Sequence, residues 1–383
     1  MKRAKQLLIA FSVLFFSSSA VAQVTFPDND VADPRHGYYA FTNATIVKDA
    51  NTTLNNATLV IKDGKIVSVT QNGKVPQGAV EVNCNGKYIY PSFIDIYADY
   101  GTPTPQRQQG DFDFFARVQL TSNTKGAYNW NQAVKPETEA AKVFAVDESK
   151  AKPLRDLGFG TVISHVRDGI ARGTGSLVTL ANGKENMVVL KEKASAHYSF
   201  NKGSSTQSYP SSMMGSVALL RQTYLDAQWY KNKPAKEGLN LSLEAWNANQ
   251  SLPQIFDAGD KWNDLRADRI GDEFGVQYII KGGGNEYQRL KEIAGTKATF
   301  ILPLNYPQAQ DVEDPNDARF VSLTDLKHWE MAPTNPGAFE KAGIPFCLTT
   351  SDLRDVKSFL ANVRIAMNYG LTEAGALNAL TKT

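Results

Sequence analysis

The sequence predicts an α/β protein, a (β/α)8 barrel of the TIM type preceded by a small N-terminal β-sandwich subdomain. From about residue 150, apolar strand-like runs alternate with helical patterns for more than 200 residues, which is typical of a parallel barrel. Before that point the strand patterns are short. The pair Asp63-Gly64 lies between two of them and indicates a β-hairpin with a type I′ turn. A chain of 383 residues is long enough for both parts.

The chain lacks the large excess of basic residues that would bind nucleic acid through net charge. Lys and Arg number 41 and Asp and Glu number 39, so the formal net charge is +2. Three of the cations, Lys2, Arg3 and Lys5, lie in a segment that we expect to be removed, which brings the mature chain to −1. We therefore expect no nucleic-acid partner. The two cysteines exclude a disulfide scaffold and a Cys-rich zinc module.

Residues 1–22 have the pattern of a secretory signal peptide. Basic residues precede an apolar run over 7–16, and the small residues Ala20 and Ala22 fit cleavage after Ala22. The apolar run is too short for a bilayer span, which takes about 20 residues. We therefore expect an exported protein, periplasmic or secreted, with no membrane anchor after cleavage.

The mature chain is predicted to form two domains, the β-sandwich subdomain over 23–90 and the barrel over 91–383. The N-terminal strands are predicted at 41–47, 57–62, 65–69 and 88–90. The barrel strands are predicted at 93–97, 160–166, 176–180, 187–190, 255–256, 276–280, 298–304 and 344–349.

Helix signals separate most of these barrel strands. Helices are predicted at 152–157, 261–274, 286–294, 339–342, 356–369 and 373–380. A longer helix begins after Ser212, which is a good N-cap, and Pro234 ends it. Gly275 is the expected C-cap of the helix over 261–274.

Four segments, taken in order, resemble the amidohydrolase superfamily, especially its imidazolonepropionase-like members. PSFIDIYAD (91–99) is similar to the first barrel strand, which in the family reads Pro-Gly-hydrophobic-Ile-Asp-x-His-x-His. LGFGTVISHVRDG (157–169) resembles the second strand. GIPFCLTTSD (343–352) resembles the last strand, and YGLTEAGALNALT (369–381) resembles the helix after it. The resemblance implies a metal-binding barrel beside a small β-sandwich, and hydrolysis of non-peptide carbon–nitrogen bonds.

The residues that hold the metal in that family are largely replaced here. Tyr97 and Asp99 stand where the family has its two histidines, and a phenol that keeps its proton is a poor ligand for Zn²⁺. The two later histidine ligands fall near Asp257 and near 282–284, and Asp352 alone keeps the family residue type. Nothing in the surrounding sequence assigns Lys281 a ligand role.

The resemblance is closest to the degenerate first module of exported bacterial proteins with two amidohydrolase modules in tandem. It implies that this chain is a non-catalytic or supporting module and that its partner is a second amidohydrolase module, in the same gene or an adjacent one. The family's chain returns to complete the β-sandwich, so we expect this chain to be truncated at the C-terminal end of the barrel and its sandwich to be incomplete.

Two other functions stay open from the residues alone. Asp99, Asp257 and Asp352 would converge at the ends of barrel strands and bind a divalent cation such as Zn²⁺, with Asp352 and His165 as catalytic residues. Alternatively, the barrel is a carbohydrate-active enzyme that uses two carboxyl groups. His197 and His328 stand singly in the sequence, and we expect packing or surface roles for them. If this chain is a non-catalytic or supporting module, we expect it to bind no metal.

Overall fold

The computed structural model describes residues 37–106, 118–232 and 238–382, and these form two units. The first unit comprises 37–46 and Leu54–Ile89, and the second comprises Val47–Thr53 and the described residues from Tyr90 onward. The predicted signal peptide lies outside the described residues. Among the described helices, none combines the length and the hydropathy that a membrane span requires.

The first unit is built on a five-stranded sheet. Its strands are β1 (Tyr38–Asp49), β2 (Thr52–Lys62), β3 (Lys65–Gln71), β4 (Val80–Asn83) and β5 (Tyr88–Ile89). The order is β3-β2-β1-β4, and β5 pairs with β1. The hairpin between β2 and β3 turns at Asp63 and Gly64, whose φ angles of 50° and 73° are both left-handed, as a type I′ turn requires. The predicted hairpin is therefore confirmed.

The second unit is built on an eight-stranded sheet in the order of the sequence. Its strands are β6 (Phe93–Ala98), β7 (Phe159–Ser164), β8 (Ala171–Thr179), β9 (Val189–Ser199), β10 (Gln254–Asp257), β11 (Ile279–Lys281), β12 (Phe300–Pro303) and β13 (Phe346–Thr349). The first and last strands meet, because the carboxylate of the buried Asp95 accepts hydrogen bonds from the backbone N–H and the hydroxyl of Thr350 at 2.8 and 2.7 Å. The sheet is thus nearly closed, and the predicted α/β barrel is confirmed.

One strand departs from the parallel barrel that the sequence predicts. β8 runs antiparallel to both β7 and β9, whereas the other neighbouring strands pair in parallel. The strand predicted at 187–190 is also wrong in part, since residues Glu185–Val188 form a helical turn and β9 begins at Val189. β9 was hard to predict because its buried positions include Ser195, His197 and Ser199, which are polar.

Twelve α-helices are described around the sheet. They are α1 (Ala140–Val143), α2 (Glu148–Asp156), α3 (Glu185–Val188), α4 (Met213–Lys231), α5 (Leu241–Asn249), α6 (Lys261–Phe274), α7 (Leu290–Gly295), α8 (Pro315–Ala318), α9 (Leu323–Met331), α10 (Asn335–Ala342), α11 (Phe359–Asn368) and α12 (Glu373–Thr381). Three 3-10 helices cover Glu286–Arg289, Ala332–Thr334 and Val356–Ser358.

The helix boundaries follow the signals in the sequence where those signals are strong. The Ser212 hydroxyl accepts from the N–H of Gly215 and caps α4, and Gly275 ends α6 with a φ of 69°. The helices α5 and α9 were not predicted, because their apolar residues are spread around the helix and give little amphipathic pattern.

Candidate functional site at the barrel mouth

Several charged residues of the second unit gather at one end of the barrel. Asp257 and Lys281 are the last residues of β10 and β11, and Asp352 follows β13. Because parallel strands bring their carboxyl ends to one edge, these side chains meet there. Asp352 has a φ of 64°, a left-handed backbone that costs free energy for a non-glycine residue and so marks a position fixed by its surroundings.

Tyr97 lies on the inside of β6 and donates a hydrogen bond from its hydroxyl to Asp257 Oδ2 at 2.8 Å. Arg172 Nη1 donates to the Tyr97 hydroxyl at 2.8 Å and to Asp257 Oδ2 at 3.1 Å. Both Tyr97 and Arg172 stand where the register of their strand shifts, and such bulges re-aim side chains. Burial raises the pKa of Tyr97, so its phenol keeps the proton that it donates to Asp257.

Lys281 brings a second cation to the same carboxylates. Its side chain is buried, with 3% of the residue exposed, and its ammonium contacts Asp352 Oδ2 directly and lies 3.7 Å from Asp257 Oδ1. Burial alone would raise the pKa of Asp257, but the charges of Arg172 and Lys281 outweigh it and hold that pKa below its ordinary value. Asp257 is therefore ionised and shared between two buried cations.

Arg167 supplies a third cation at the outer side of the mouth. Its guanidinium lies 4.9 Å from the centre of the Tyr97 ring, and Nη2 donates to the Ser351 hydroxyl at 2.6 Å. It forms ion pairs with Asp352 Oδ1 at 3.5 Å and with the exposed Asp99 Oδ2 at 3.8 Å. The three carboxylates predicted as a metal site are thus each paired with an arginine or a lysine.

His165 and His197 stack on each other below this network. Their ring centres are 3.7 Å apart with an angle of 8° between the planes, and Tyr97 lies 4.6 Å from the His165 ring. Burial lowers the pKa of His197 to about 3 and that of His165 well below its ordinary value, so both imidazoles are neutral at pH 7. His197 Nε2 shares a hydrogen bond with the Ser195 hydroxyl at 2.8 Å.

In this arrangement the aspartates of the mouth and the two histidines do not form a site for a divalent cation. The nitrogen lone pairs of two stacked, parallel imidazoles lie in parallel planes and do not converge on an ion about 2.0–2.1 Å from both. Among the described residues, no group of three or more His, Cys, Asp or Glu side chains comes together as ligands. Metal binding by Asp99, Asp257 and Asp352, and catalysis by Asp352 and His165, stay predictions for experiments in solution.

Several members of the network were missed from the sequence. Arg172, Lys281 and His197 are each a single polar residue in a strand. Lys281 and its partner Asp352 are 71 residues apart in the sequence, and Arg172 and its partner Tyr97 are 75 apart. One signal was present, because a lysine that ends an apolar strand just before three glycines is unusual. Among the isolated histidines, His328 packs outside the mouth, with its ring parallel to that of Tyr287.

Two cavities open beside the ion pairs. One has a volume of about 560 Å³ and is lined by Tyr97, Asp99, Arg167 and Asp352 among others. The other has a volume of about 700 Å³ and lies on the far side of Arg172, between the end of β9 and the start of α4. Both are within the range of small-molecule sites.

Comparison with known proteins identifies the fold. No family model and no curated protein matches the sequence. Among solved structures, an amidohydrolase from Thermotoga maritima is similar with a TM-score of 0.67 and 20% identity over 89% of this chain and 86% of that one. A Xaa-Pro dipeptidase with bound methionine has a TM-score of 0.47 and 11% identity over 90% and 86%, which is too distant to carry weight. The chain therefore has the fold of an amidohydrolase, as its motifs predict.

Proposed function

We propose that this chain, whose fold is that of an amidohydrolase, derives from hydrolases of non-peptide carbon–nitrogen bonds and serves as a supporting module beside a second, metal-bearing amidohydrolase module. In this chain the charges of the barrel mouth are balanced by its own side chains. The module supplies a rigid barrel and a surface for its partner, and the partner supplies the hydrolytic chemistry.

The observation that carries this proposal is the position of Lys281. Its ammonium lies between the carboxylates of Asp257 and Asp352, which are the acidic groups that a cation at the mouth would use. A divalent ion about 4 Å from that ammonium would be repelled by about 8 kcal/mol at an effective dielectric constant of 20. Lys281 is buried and tethered to β11, so it cannot leave the site as a water molecule or a free ion would.

Tyr97 on β6 also argues against a metal ion at the mouth. A carboxylate that accepts hydrogen bonds from a phenol and a guanidinium at 2.8 and 3.1 Å has its Oδ2 occupied. A metal that bound at Oδ2 would have to break both bonds and would leave the buried Arg172 without its carboxylate, which is costly.

Metal analysis of the purified chain tests the proposal. After incubation with excess Zn²⁺ or Mn²⁺ and removal of free ions, we expect far less than one ion per chain by mass spectrometry. The variant Lys281→Met should take up more metal, since it removes the cation that lies between the two carboxylates, whereas Lys291→Met on the exposed side of α7 should behave as the wild type.

One result would overturn the supporting role. If the wild-type chain holds one ion tightly, and Asp352→Asn abolishes that binding while Asp355→Asn in the same loop does not, the chain carries its own metal site. Asp355 is a suitable control because its side chain caps the helix at Val356–Ser358 and makes no contact with the network.

We propose that the partner module binds to the surface of the first unit. Ile66 and Val67 on β3 are 68% and 59% exposed, and they lie where the register with β2 shifts and leaves Val67 without a partner residue. This outer strand therefore presents apolar surface that another polypeptide would cover. The genome tests this, because a module with an intact His-x-His pair should be encoded in the same gene or next to it. A neighbourhood without one contradicts the tandem arrangement.

Export to the periplasm or the medium is part of the same proposal. Residues 1–22 support it by their pattern alone. N-terminal sequencing of the protein made in a Gram-negative host should give a chain that begins at Gln23, and recovery of the uncut chain from the cytoplasm would contradict export.

A further inference from the structure

The cavity of about 700 Å³ beside Arg172 has the chemistry of an anion site. It lies within the second unit and is lined by side chains from the ends of β9 and β10 and from the start of α4 and α6. Two of its lining residues, Arg172 and Lys202, are cations. Its one carboxylate, that of Asp257, is already shared by Arg172 and Lys281, so it offers little negative charge to the cavity.

Arg172 turns a free donor toward this cavity. The residue is buried, and its Nε and Nη1 are occupied by the carbonyl of Gly169, the Tyr97 hydroxyl and Asp257. Its Nη2 has no hydrogen-bond partner within the parts of the chain that the structure describes. A guanidinium held rigidly at two nitrogens, with the third open to a cavity, is pre-organised to bind a carboxylate or a phosphate oxygen.

The start of α4 faces the same space. This helix has 19 residues, and the Ser212 hydroxyl caps only the N–H of Gly215, so the amides of Met213 and Met214 have no partner inside the helix. Ser216 lines the cavity and is 4% exposed, yet its hydroxyl has no partner among the described residues. The hydroxyl oxygen is not fully enclosed, so it can form a hydrogen bond with a molecule in the cavity.

The other lining groups define the rest of the ligand. Phe200, Pro210 and Met213 give the cavity an apolar wall next to the cationic end. Its volume exceeds that of a bare inorganic anion and suits a small organic molecule. An acid with a short apolar body would place its anionic head at Arg172, Ser216 and the start of α4.

We propose that this cavity binds a small organic acid, with a carboxylate or a phosphate as its head group, so that the module is a ligand-binding unit rather than an inert scaffold. Binding needs only this chain, and it goes beyond the supporting role proposed above. Lys202, whose Nζ donates to the Gln207 carbonyl at 2.7 Å, adds the second positive charge at the cavity wall.

Titration calorimetry with the full chain tests the inference. The probes are hexanoate, hexanamide as its neutral analogue, acetate and inorganic phosphate, all at low salt and with a chelator present so that no metal site contributes. We expect saturable binding at one site per chain for hexanoate, at least about tenfold tighter than for hexanamide, because the charge-assisted bonds are lost with the amide. Acetate should bind more weakly than hexanoate, since it lacks the apolar body.

Variants locate the binding in this cavity. Lys202→Met should weaken the binding of the preferred anion about fivefold to tenfold, and Ser216→Ala, which removes only the hydroxyl, about threefold to fivefold. The control Lys191→Met removes an exposed lysine of β9 that does not line the cavity, and should change affinity less than twofold.

The outcomes are decisive. Tighter binding of hexanoate than of phosphate identifies a carboxylic acid, and the reverse order identifies a phosphate head group. The inference is overturned if no anion binds, if hexanamide binds as well as hexanoate, or if Lys202→Met and Lys191→Met behave alike. Since a chelator is present throughout, failure here leaves the metal analysis of the proposed function unaffected.

Discussion

Replacing Asp352 with Asn tests whether Lys281 and its carboxylates form one energetic unit. Asn keeps the shape of the side chain and tolerates the left-handed φ of 64° at this position, so the change removes charge without adding backbone strain. What remains is a lysine with 3% of its surface exposed and one carboxylate, that of Asp257, at 3.7 Å.

The magnitude follows from burial. Removing one partner of a buried pair costs about 3–5 kcal/mol, and because Asp257 still compensates part of the lysine charge we expect about 3 kcal/mol for Asp352→Asn. Lys281→Met leaves a carboxylate whose side chain is 35% exposed and still faces Arg167, so solvent screening reduces that cost to about 1–2 kcal/mol. The double variant leaves neither charge unpaired and should lose about 2 kcal/mol less than the sum.

Urea unfolding followed by tryptophan fluorescence measures these free energies. All five tryptophans lie in the second unit, so the signal reports on the barrel. The m-value should be the same in all variants, and Asp355→Asn should stay within about 0.5 kcal/mol of the wild type. Additive costs, within about 0.5 kcal/mol, would show that the two residues do not act together and would refute the idea that Lys281 and its carboxylates form one energetic unit.

Three further predictions use the same unfolding measurement. Tyr97→Phe should cost about 1–2 kcal/mol because it removes two buried hydrogen bonds, whereas Tyr306→Phe, whose buried hydroxyl has no partner among the described residues, should be nearly neutral; equal costs would contradict this account. Burial lowers the pKa of His197 from 6.5 to about 3, so the contribution of this residue to stability is complete above pH 6.5 and falls by about 1.4 kcal/mol per pH unit toward pH 3. His197→Gln should reduce that slope, and an unchanged slope would exclude this histidine as its source. Gly203→Ala should cost about 3 kcal/mol, because its φ is 65° and the new Cβ would lie 2.0 Å from a carboxylate oxygen, whereas Gly259→Ala, with a φ of 81° and open space around it, should cost about 1 kcal/mol; similar losses would show that the close approach is unimportant.

Most of the fold could be predicted because its signals are local. The turn at Asp63-Gly64, the cap at Ser212 and the apolar runs of β12 and β13 depend on residues close in sequence. The reversal of β8 could not be predicted, because an alternation of strands and loops reads the same whichever way a strand runs. The direction is decided by which neighbours it pairs with, and those contacts are tertiary.

The candidate site could be predicted only in part, for the same reason. Asp257 and Asp352 were identified because family motifs mark the ends of their strands. Arg172, Lys281 and His197 are single polar residues in otherwise ordinary strands, and only the closed sheet shows that they meet. The role of a single buried lysine can be identified only when the carboxylates that it contacts are known. The sequence therefore did not predict the ion pairs at the barrel mouth.

The reversed strand β8 also determines how its arginine is held. Because β8 runs against its neighbours, its opening residues lie beside the closing residues of β9, and Arg172 is the second residue of the strand. A parallel strand would bring its closing residues to this edge, as β10 and β11 do with Asp257 and Lys281; the reversal brings the opening residues of β8 there instead, and the ladder fixes Arg172. The exposed residues 181–187 of the connection lie at the remote end, so insertions or purification tags there should leave the placement of that guanidinium unchanged.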